Sequence, residues 1–230
     1  MKPKLILLHG ALGDAKQLQP LRAHLESEFE VFVPDLPGHG NSAVVLTEYT
    51  IENLSSFLHH YMQSMSEKVY VFGYSMGGYV ALYTAIQFPE LFNGVVTLAT
   101  KFDWNPESVA KEIALLNPDR MLEKVPAYAK ILTERHENHD WKKVLDGTAR
   151  LMRGLGDQPL LHPDVCAKLN LPVWMGLGDR DNMVSLEETR KIQQAIPQAG
   201  LYMLPNTSHP IEKVDANWMA YLIQKFAGLS

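Results

Sequence analysis

Short apolar runs punctuate the first hundred residues, separated by longer stretches in which apolar positions recur every three or four residues. "KLILLHG", "EVFVPDL", "KVYVFGYS" and "GVVTLAT" barely alternate with polar residues, the pattern of strands buried on both faces. Helical spacing covers residues 16–28, 50–65 and 76–88, the last stopping just before Pro89. Strand–helix alternation of this kind predicts a parallel sheet with right-handed crossovers and helices on both faces.

The rhythm then breaks. Residues 102–165 contain no convincing strand; "PESVAKEIALLNPDRMLEKVPAYAKILTERH" and "DWKKVLDGTARLMRGL" read as amphipathic helices punctuated by Pro118, Pro126, Gly147 and Gly154. Alternation resumes with "LPVWMGLGD", a helix over 186–196, "GLYMLPN" and a closing helix over 211–226. The expected organisation is a core of residues 1–101 and 166–230 interrupted by a helical insertion, 102–165.

Composition narrows the picture. At 230 residues, 46% hydrophobic and 20% charged, the chain suits one globular domain. A net charge of −5 and 21 scattered Lys plus Arg give no footprint for nucleic acid. The apolar run at the start, Leu5 to Leu8, is too short for a signal peptide, and no stretch reaches the roughly twenty apolar residues of a membrane span. A soluble, cytoplasmic protein is expected. The one cysteine, Cys166, reads as a small buried hydrophobe.

Candidate chemistry centres on "VYVFGYSMGGYVALYTA", where Ser75 falls between a buried strand and a helix, the place where a parallel sheet presents its ligand site. A tight strand-to-helix turn would strain Ser75, project its hydroxyl, and leave no room for a Cβ at Gly73 or Gly77. A phosphate-cradling turn is the competing reading. It is disfavoured because the spacing is not G-x-G-x-x-G and no Lys-Ser or Lys-Thr pair follows.

A serine nucleophile needs a base and an acid to orient it. Of nine histidines, His209 alone follows the last strand and precedes the closing helix. His24, His59 and His60 fall on helices, His162 precedes a proline, and His9 reads as a structural loop residue. His136 and His139 in "ERHENHD" have metal-compatible spacing but read as a solvated face. In "GDRDNMV", Asp181 is preferred as the acid over Asp179, with Asp103 a weaker substitute. Oxyanion donors are expected from the backbone N–H of Met76 and of Ala11 in "HGALGD", with Leu12 the neighbouring alternative.

Taken in order, "LLHGALGD", "DLPGHGNS", "VFGYSMGGYVAL", "GDRDNMV" and "LPNTSHPIEKV" resemble the alpha/beta-hydrolase superfamily, specifically its small esterase-like members. The resemblance implies a Ser75–His209–Asp181 triad, an oxyanion hole from Ala11 and Met76, and a mobile helical cap over 102–165. The antiparallel strands that begin the full-sized fold have no counterpart, so a mainly parallel sheet of about six strands is expected. The expected function is hydrolysis of small or medium carboxylic esters without metal or organic cofactor, under a cap offering Phe102, Trp104, Tyr128 and Trp141. A lyase or C–C bond hydrolase, or a non-catalytic ligand receptor, are the alternatives on the same fold.

Overall fold

A computed structural model describes residues 2–44, 46 and 48–229. Six strands, β1 (Lys4–Leu8), β2 (Glu30–Phe32), β3 (Val69–Tyr74), β4 (Phe92–Leu98), β5 (Val173–Gly178) and β6 (Ala199–Leu204), form one sheet in the order β2-β1-β3-β4-β5-β6. Every neighbouring pair is parallel. The core helices are α1 (Gln19–Leu25), α2 (Ile51–Gln63) and α3 (Met76–Gln87). Between β4 and β5 lie α4 (Pro106–Ile113), α5 (Pro118–Lys124), α6 (Pro126–Arg135), α7 (Trp141–Asp157) and α8 (Pro163–Cys166). α9 (Leu186–Ala195) and α10 (Ala216–Phe226) complete the order.

Each central strand sends successive side chains to opposite faces, so apolar runs without alternation bury both. Ile6, Leu8, Val69, Val71 and Met175 pack with Leu54, Leu58, Val80 and Ile192, from α2, α3 and α9. Leu5, Leu7, Phe72 and Val96 pack on the other face with Leu21, Leu25, Met219 and Ile223, from α1 and α10. Cys166 is fully buried, which pushes its thiol up to about 12 and fits it as a core hydrophobe. Among the described residues, no helix is long and apolar enough to cross a membrane.

Several boundaries differ from the pattern-based reading. The edge strand β2 keeps three residues of "EVFVPDL". The first helix is preceded by a 3-10 turn, Ala15–Leu18, capped by Asp14, and the closing helix starts only at Ala216, capped by Asp215. Pro118 and Pro126 each open a helix, as a residue without an N–H can. Gly147 and Gly154, by contrast, interrupt nothing; both lie inside α7. Buried Val144, Leu145, Leu151 and Leu155 hold that helix, and a Cβ on Gly147 would come within 2.6 Å of the Tyr49 ring.

The helical segment is fastened to the sheet domain at both stems. At entry, the Glu188 carboxylate accepts from the amides of Phe102 (2.9 Å), Asp103 (2.7 Å) and Ser185 (2.6 Å). At exit, the buried Tyr79 hydroxyl accepts from the amides of Leu160 (3.1 Å) and Leu161 (2.9 Å). Loop amides taken out of water need such acceptors, because an unpaired buried N–H costs about 1–3 kcal/mol.

Candidate active site

Ser75 sits at the turn from β3 into α3 with φ +52°. A left-handed non-glycine residue costs about 1–3 kcal/mol and persists only where its surroundings over-determine it. Here the Ser75 amide donates to Leu98 O (2.8 Å), and its carbonyl accepts from Thr100 Oγ1 (3.1 Å) and the Gly78 amide (3.0 Å). The flanking glycines are steric requirements. A Cβ on Gly73 would collide with the backbone of Gly78, and one on Gly77 would lie 2.5 Å from Leu8 O.

His209 and Asp181 meet in front of this turn. His209 Nδ1–H donates to Asp181 Oδ2 at 2.8 Å, while Oδ1 accepts from the amides of Met183 (2.8 Å) and Val184 (2.9 Å). An ionised carboxylate is acceptor-only, so this contact fixes the proton on Nδ1 and leaves Nε2 its lone pair. Burial pushes the Asp181 carboxyl up, but the hydrogen bond and electrostatic attraction of the His209 ring, together with the two amides, outweigh burial and hold it below the usual range. His209 is 9% exposed, and its carbonyl accepts from Tyr74 Oη–H at 3.0 Å. Ser75 and His209 line the same cavity without a direct hydrogen bond, as is common before a ligand draws such groups together.

The other candidates serve the scaffold. Asp179 accepts from the Thr207 amide at 3.1 Å, stapling the acid-bearing loop to the histidine-bearing one, and Asp103 pairs with Asn105 Nδ2 at 3.1 Å. His9 is fully buried and accepts the Leu36 amide through Nε2 at 3.0 Å. The solvated reading of "ERHENHD" is corrected for His136, which is 0% exposed and accepts the Gly40 amide through Nδ1 at 2.9 Å. His139 is part-buried and contacts Ser42 O through Nε2 at 3.0 Å. Among the described residues, the N–H groups of Ala11 and Met76 meet no protein acceptor, and Met76 opens α3, where the helix dipole favours negative charge.

Two cavities meet at Ser75 and His209. The smaller, about 50 Å³, is walled mainly by Met76, Tyr79, Trp104, Leu151, Met152 and Leu155. The larger, about 390 Å³, adds Leu116, Met121 and Tyr128 together with the charged Arg135 and Glu212. Glu112 lines both and pairs at 3.7 Å with Lys101, whose Nζ donates to Met183 O at 3.1 Å. Of the four aromatic residues expected over the site, Trp104 and Tyr128 line it. Phe102 instead stacks on Tyr79 with ring centroids 6.2 Å apart, and Trp141 is buried among the helices.

Sequence reasoning missed Tyr74, Thr100, Glu188, Arg135 and the buried role of His136. Tyr74 and Thr100 adjoin strand ends, where a polar tip on an otherwise apolar run was the available signal. The side-chain partners of Arg135 and His136 lie more than seventy residues away in sequence, beyond any local pattern.

A family model described as the alpha/beta hydrolase fold matches residues 3–136. Lipase 3 of Moraxella sp. (strain TA144) is 27% identical over 228 residues, covering 89% of this chain and 71% of that protein. The pimeloyl-[acyl-carrier protein] methyl ester esterase of Vibrio campbellii is 35% identical over 98 residues, 43% of this chain and 37% of that one. Among solved structures, the thermophilic esterase of Thermogutta terrifontis aligns with TM-score 0.78 at 21% identity, covering 99% of this chain and 90% of that one. With a match spanning more than half the chain and a sheet of the corresponding architecture, this protein belongs to the alpha/beta hydrolase family.

Proposed function

We propose that the protein is a serine hydrolase of small or medium carboxylic esters. Ser75 Oγ attacks the ester carbonyl as His209 Nε2 takes its proton, with Asp181 holding the imidazole and stabilising its charge. The tetrahedral oxyanion is received by the N–H groups of Ala11 and Met76. His209 returns the proton to the departing alcohol, then activates the water that releases the acid. The observation carrying this reading is the 2.8 Å Asp181–His209 contact opening on the cavity that holds Ser75 at its strained turn. The 35% identity to a methyl ester esterase over part of the chain supports ester chemistry.

The smaller, apolar cavity suits the acyl arm, and the wider one suits the departing alcohol and the incoming water. Each methylene buried there contributes about 0.8 kcal/mol, so kcat/KM should rise roughly fourfold per methylene until the cavity is full. A p-nitrophenyl ester series from acetate to decanoate, with wild type and Ser75→Ala, tests the assignment. The expected result is a maximum at intermediate length, loss of turnover in Ser75→Ala, and labelling of Ser75 by a fluorophosphonate probe. Full activity in folded Ser75→Ala would overturn it.

A further inference from the structure

Leu12 belongs to the loop after β1, yet its side chain packs into the helical segment's own core, with Met121, Leu132, Trp141 and Leu145. Its backbone is left-handed at φ +58°, a conformation that a γ-branched residue adopts only under external constraint. The constraint comes from the C-terminal end of α6. Arg135 Nη1 donates to Leu12 O at 2.8 Å, and His136 Nε2–H donates to the same oxygen at 3.2 Å. Both donors are themselves held. Arg135 pairs with Asp14 (3.8 Å) and Glu212 (3.5 Å), and His136 Nδ1 accepts the Gly40 amide.

We propose that Arg135 and His136 are positioning residues for the oxyanion-binding loop, so that the hole is set only while the helical segment is docked. This rests on the esterase reading above, in which Ala11 supplies one donor. Rotating a left-handed Leu12 back to an ordinary φ turns the neighbouring peptide planes, and the Ala11 amide lies immediately upstream. Two donors converging on one carbonyl, plus a side chain plugged into the opposing helices, hold Leu12 in place from its backbone and its side chain together. The helices over the site thus act on the reaction centre as well as on substrate shape.

The test compares wild type with His136→Phe and Arg135→Met, adding His136→Gln, which restores a donor, and the milder Arg135→Lys in case a variant fails to fold. On a p-nitrophenyl ester, kcat should fall by about 10- to 100-fold in His136→Phe and Arg135→Met while KM stays within about twofold. Affinity for a trifluoromethyl ketone, whose hemiketal adduct with Ser75 Oγ places an oxyanion in the hole, should fall in parallel, and His136→Gln should recover part of both. Amide exchange over residues 10–13 should accelerate in the two damaging variants and stay at the wild-type rate in Ser75→Ala. Raised KM with retained kcat, or unchanged loop exchange, would overturn the proposal. The exchange measurement needs no turnover, so an inactive wild type would count against the esterase reading and still decide the clamp.

Discussion

His9, His39 and His136 are each 0% exposed, with ring centroids 5.3 Å apart for His9–His39 and 5.8 Å for His39–His136. Burial holds these imidazoles well below their usual value, His9 at about 4 and the other two at about 3. Their hydrogen bonds require the neutral ring, because His9 Nε2 and His136 Nδ1 each accept a backbone amide that a protonated nitrogen would repel. In the unfolded chain each titrates near pH 6.5, so between pH 7 and pH 5 the unfolded state gains about two protons, to hold about three, while the folded state refuses nearly all of them. A folded-state value that is depressed for a base means stability fully present above the unfolded value and lost as pH falls below it. Each histidine then contributes about 2 kcal/mol of destabilisation at pH 5, and the three together remove about 5 kcal/mol relative to pH 7. That is comparable to the whole stability of many domains. Urea unfolding at pH 7, 6 and 5, followed by tryptophan fluorescence, should show the midpoint falling steeply. His136→Gln should reduce the pH dependence by about a third. Equal stability at pH 7 and pH 5, or uptake of less than one proton on unfolding at pH 5, would refute the reasoning.

Other substitutions isolate single contacts. Asp181→Asn should lower kcat by about 10⁴-fold through loss of the correct His209 tautomer. Asp179→Asn, whose carboxylate holds the Asn206 and Thr207 amides of the neighbouring loop, should leave kcat within about tenfold, and steady-state kinetics with equal losses in the two would place the acid elsewhere. Gly77→Ala forces a Cβ to 2.5 Å from Leu8 O and 2.7 Å from His9 O, both backbone, so it should cost about 3 kcal/mol in denaturant unfolding. A neutral result there would mean that the helix can retreat from the sheet without penalty.

The strands and the candidate triad were legible because their determinants are local or topological. A buried parallel strand needs a continuous apolar run, and chemistry on such a sheet gathers at strand ends, which is where Ser75, Asp181 and His209 stand. The helical segment was legible in type and not in detail. Gly147 looks like a break when only its neighbours are considered; the reason it is glycine is Tyr49, on a distant stretch of chain. Polarity likewise misled at "ERHENHD". His136 is buried because the amide of Gly40 and the carbonyl of Leu12 converge on it from two other loops, and no periodicity within the run encodes that meeting.

The two stem fastenings have a consequence for how such a protein diversifies. Glu188 grips the entering strand of chain and Tyr79 the leaving one, and both side chains are rooted in helices of the sheet domain. They bind main-chain amides, which every sequence but proline provides. The residues between the stems that do not reach back to the sheet domain, unlike Arg135, His136, His139 and Gly147, can therefore vary in length as well as composition while the same two knots hold. Such exchange would reshape the cavity wall, and the contacts by which the inserted helices reach back to the loops at Leu12, Gly40 and Ser42 are what it would have to keep.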